Sequence, residues 1–149
     1  QWTLDLLAAD SLATLVAVLE DGLRERFQVS VVGLLIFTDY QLDVARGVPL
    51  AQARQQIPAM LNEQVVSGCL REHELAFLFG EEAAGGVRSA AVATFGEPLP
   101  LGLLALGSPD PQKYNHTVGT MFLRFVSQML ARVLPPLLQE HCRSAADGL

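Results

Sequence analysis

The sequence predicts a single α+β domain, on three observations. Its 149 residues are the usual size of one domain with one hydrophobic core. An amphipathic helical stripe lies near each end of the chain. Between the stripes stand runs rich in β-branched residues, two of them joined as a hairpin.

The first stripe is Leu12, Leu15, Val16, Leu19, Leu23 and Phe27, spaced by three and four residues with Glu20, Asp21, Arg24 and Glu25 between them. Asp10 and Ser11 are N-cap types, because a side-chain oxygen can accept from an otherwise unpaired N–H of the first turn. Trp2, Leu4, Leu6 and Leu7 read as the end of an earlier helix or a linker over residues 1–10. Because the chain begins at Gln1, an upstream segment is expected.

Val29 to Phe37 (VSVVGLLIF) reads as a central strand buried on both faces and closed by a polar turn, Thr38-Asp39-Tyr40. Pro49 to Gln64 favours helix, and Pro58 divides it because proline lacks the N–H that the helix needs. Ser67-Gly68 reads as a turn. Arg71 to Phe79 fits helix or strand, ending at Gly80. Val87 to Phe95 and Gly102 to Gly107 form an antiparallel hairpin across Gly96 to Pro100. After Ser108-Pro109-Asp110-Pro111 comes the second stripe, Phe122, Phe125, Val126, Met129, Leu130, Val133 and Leu134. Pro135-Pro136 is expected to kink or stop this helix, with the domain covering 11–138 and a tail over 139–149.

Half of the residues are apolar and only 17% are charged, against about 25% in ordinary globular chains, so a partner is expected to cover some apolar surface. The net charge of −6 and the scatter of the ten basic residues disfavour nucleic acid and anionic membranes. The longest uncharged runs, Gln28 to Thr38 and Pro98 to Pro109, fall well short of the ~20 residues of a membrane-spanning helix. No basic leader precedes an apolar run, and two cysteines are too few for a secreted disulfide framework, so a cytoplasmic location is expected.

The segments Arg88-Ser89-Ala90-Ala91-Val92, GLLALGS at 102 to 108, Asp110-Pro111, Gly119-Thr120 and Phe122-Leu123 carry a family resemblance. A G-hydrophobic-hydrophobic-x-hydrophobic strand leading into an amphipathic helix resembles the last third of GAF domains. More closely, the chain is similar to the uncharacterised bacterial family called domain of unknown function 484, a GAF-like group. The resemblance implies a central antiparallel sheet with the terminal helices on one face and short helices and loops on the other. It implies a ligand pocket on that second face and dimerisation through the terminal helices. The family has no established reaction, and the fold alone chooses no ligand. The Asn-Lys-Phe-Asp-Glu set of cyclic-nucleotide-binding GAF domains is not recognisable here.

For that pocket the candidates are Phe37, Cys69, His73, Phe77, Phe79 and Arg88. Cys69 stands close to Glu72 and His73, and a thiolate beside an imidazole can act as nucleophile or ligand. A cysteine with ordinary helix-surface neighbours accounts for the same residues. A GAF-like group reduces free methionine sulfoxide through a reactive cysteine and a resolving partner, and Cys142, in the tail, is poorly placed to resolve Cys69. His73, His116 and His141 lack metal-motif spacing, so no metal is expected. Gly85-Gly86 lacks the Lys-Ser/Thr of a phosphate loop. Arg88 could hold a carboxylate or phosphate ligand in bidentate fashion, or stand at an exposed rim. Phe37, Phe77 and Phe79 could wall a pocket or be plain core.

For the dimer helices the candidates are Leu12, Leu15, Leu19, Phe125, Met129 and Val133. The leading expectation is a non-catalytic sensory or dimerisation module, homodimeric, with an unidentified small-molecule ligand and no cofactor named. The alternatives are a cysteine-dependent reductase and a structural adaptor whose pocket is filled by its own side chains.

Overall fold

A computed structural model describes residues 8, 11–26, 28–38, 46–62, 65–96, 100–114 and 120–147. Helix α1 (Leu12–Arg26) starts where Ser11 Oγ accepts the Thr14 N–H at 3.1 Å, so the expected serine cap is in place. Its end is fixed by Gln28, which takes a left-handed φ of 55° so that the Val29 N–H can donate to the Leu23 carbonyl. Lys113 Nζ, arriving from the far end of the chain, donates to the Gln28 carbonyl and supplies the positive charge that a helix C-terminus favours.

Five strands follow: β1 (Val31–Phe37), β2 (Arg46–Val48), β3 (Val65–Gly68), β4 (Ser89–Phe95) and β5 (Gly102–Ser108). They lie in the order β2-β1-β5-β4-β3. The β4–β5 hairpin is antiparallel, with Val92 opposite Ala105. The sheet is otherwise antiparallel except that β2 runs parallel to β1, Leu35 facing Arg46. This makes it a mixed sheet within an α+β fold. Ser67-Gly68, expected as a turn, belongs to β3, because pairing with Ala91 and Ala90 of β4 satisfies its backbone.

Between β2 and β3 lie α2 (Leu50–Gln56) and α3 (Pro58–Asn62), divided at Pro58 as expected. Arg71 to Phe79 resolves to helix, α4 (Glu72–Phe79), with Glu74 reaching back to accept the Arg71 N–H at 2.9 Å. Gly80, at φ 88°, turns the chain into the short α5 (Glu81–Ala84).

The last helix, α6 (Thr120–Asp147), runs unbroken through Pro135 and Pro136, where the sequence predicts a kink or stop. The prolines remove the donors to the carbonyls of Ala131 and Arg132, and Arg132 is exposed, so water can serve its carbonyl. Leu134 and Leu137, buried on either side, hold both halves of the helix on the sheet. Residues 139–147, expected as a tail, continue this helix. Of residues 1–10, expected as the end of an upstream helix or a linker, only residue 8 is among the described residues.

The alternation of strand side chains builds two cores. Leu34, Ile36, Ala91, Ala93, Leu104 and Leu106 meet α1 and α6 on one face. On the other, Leu35, Val92, Leu103 and Ala105 meet Val48, Ala53, Ile57, Met60 and Leu78. The terminal helices therefore share one face and the short helices the other, as expected.

Candidate functional site

On the second face the sheet is paved with small residues, and α4 is pressed onto them. A methyl group added at Gly33 would lie 2.6 Å from the Leu78 carbonyl oxygen and 3.2 Å from Phe79 Cδ1. One added at Gly107 would lie 3.1 Å from both Phe79 Cζ and Val87 Cγ2. The Phe79 ring thus spans two glycines of adjacent strands, a close approach that only glycine permits. Arg46 latches the same helix end, its Nη1 donating to the Leu78 carbonyl at 3.1 Å. Partial burial lowers the Arg46 pKa from its ordinary value, yet the guanidinium stays charged at any physiological pH.

Of the pocket candidates, the three aromatics gather here. Phe37, Phe77 and Phe79 are half-buried and pack on the cluster around Leu35. Cys69, His73 and Arg88 do not join them: all three are exposed. Cys69 is a free thiol just beyond β3. Arg88 holds position through its backbone, its N–H donating to the Ser108 carbonyl at 2.7 Å. Cys142 lies within α6 rather than in a tail, because that helix runs on to Asp147. His116 lies outside the described residues. Among the described residues no group of three or more His, Cys, Asp or Glu could hold a metal ion.

Three of the segments that carried the resemblance, Arg88 to Val92, 102 to 108 and Asp110-Pro111, meet at one junction, and Gly119 lies outside the described residues. Ser89 and Ser108, buried on adjacent strands, fix the turn after β5. Ser89 Oγ donates to the Asp110 carbonyl at 2.6 Å and accepts the Tyr114 N–H at 3.3 Å, while Ser108 Oγ accepts the Asp110 N–H at 3.1 Å. Asp110 Oδ1 caps the turn by accepting the Gln112 N–H. Burial raises the pKa of the Tyr114 hydroxyl. Both buried serine hydroxyls are thus engaged in holding the turn that follows β5.

The helix layer presents a different surface. Leu12, Leu15 and Leu19 are 1% exposed or less and point into the core, so these three dimer candidates are spent on the sheet. Met129 is buried and Val133 half-buried, both packed in the same core. Phe125 is 54% exposed, the one large apolar side chain so exposed among the described residues. It lies at the margin of the α6 stripe, about 100° around the helix from the buried Val126.

Residues 1–139 match the family model described as protein of unknown function, DUF484, and the chain belongs to that family. A search of curated proteins finds no match. No helix among the described residues is long and apolar enough to cross a membrane.

Proposed function

We propose that this domain is a non-catalytic, cytoplasmic interaction module that works by self-association through the outer side of its helix layer. The observation that carries this reading is Phe125, left 54% exposed on a helix whose other described apolar side chains, its prolines aside, are buried or half-buried. An isolated phenyl group in water forgoes burial free energy that a partner surface would recover. The test is light scattering of the wild type and of Phe125→Glu. The wild type is expected to be a dimer and the variant a monomer with an unchanged circular dichroism spectrum. A monomeric wild type would overturn the reading.

The second face supports the adaptor form of this function over the sensor form. With Phe79 across Gly33 and Gly107, a small molecule lying on these glycines has to displace the ring and loosen the end of α4 that Arg46 latches. Native mass spectrometry of gently purified protein is expected to show no added mass. Extra mass lost on denaturation would restore the ligand-holding reading and identify its ligand by mass. The reductase alternative has one supporting fact, the exposure of Cys69.

A further inference from the structure

We draw no further inference here: the strongest candidate, the outer edge of β3 (Val65–Gly68), where the sheet ends on four uncharged, half-buried residues, carries nothing because nothing in the structure shows what covers it.

Discussion

Phe79 and Phe125 stand in apolar helical stretches of the sequence and end in opposite environments. Phe79 lies across Gly33 and Gly107, so Phe79→Ala is expected to cost about 2–4 kcal/mol in urea melts, somewhat below the cost at a fully buried site. Leu130, 1% exposed, should cost about 2–5 kcal/mol when replaced by alanine. Phe125→Ala, measured at a concentration low enough to keep the chain monomeric, should change stability by no more than about 0.5 kcal/mol. A large loss there would place Phe125 in the core and remove the surface on which the proposed function rests. Ser89→Ala is expected to cost about 0.5–1.5 kcal/mol, since it removes the hydrogen bonds to the Asp110 carbonyl and the Tyr114 N–H at a part-buried junction. Periodicity puts Phe125 on the same stripe as Leu130 because spacing identifies a face and does not separate its margin from its middle. Arg46 is invisible to sequence reasoning for another reason: it lies on a three-residue edge strand, too short to show any alternation.

At the scale of elements, the long and strongly patterned segments are legible. The two amphipathic helices, β1 and the β4–β5 hairpin follow from apolar spacing and turn chemistry, and so does the division of α2 from α3 at Pro58. The elements that are not legible are those made by pairing. β3 contains Ser67-Gly68, whose local preference is for a turn, and only the ladder to β4 makes it a strand. β2 likewise depends on β1. The pair Pro135-Pro136 shows the same override in a helix: local preference says stop, and the burial of Leu134 and Leu137 carries α6 onward. Pro136→Ala at this exposed position should therefore stabilise the fold, by about 1–3 kcal/mol, as a regained helical hydrogen bond and the removed clash require. A drop in the unfolding midpoint would show that the helix depends on a proline-imposed bend.

For the whole molecule, composition alone points to a partner, through 17% charged residues in a chain that is half apolar. The fold shows where part of that apolar surplus goes, into two cores on either side of one sheet. Leu12, Leu15 and Leu19 look like dimer residues in the sequence because a stripe that packs on a sheet and one that packs on another protomer have the same period. The measurement that tests self-association most directly is sedimentation equilibrium of the wild-type chain over a wide range of concentrations. The account predicts a mass rising from 16.1 kDa to twice that value with increasing concentration, and a single 16.1 kDa species at all concentrations would contradict it.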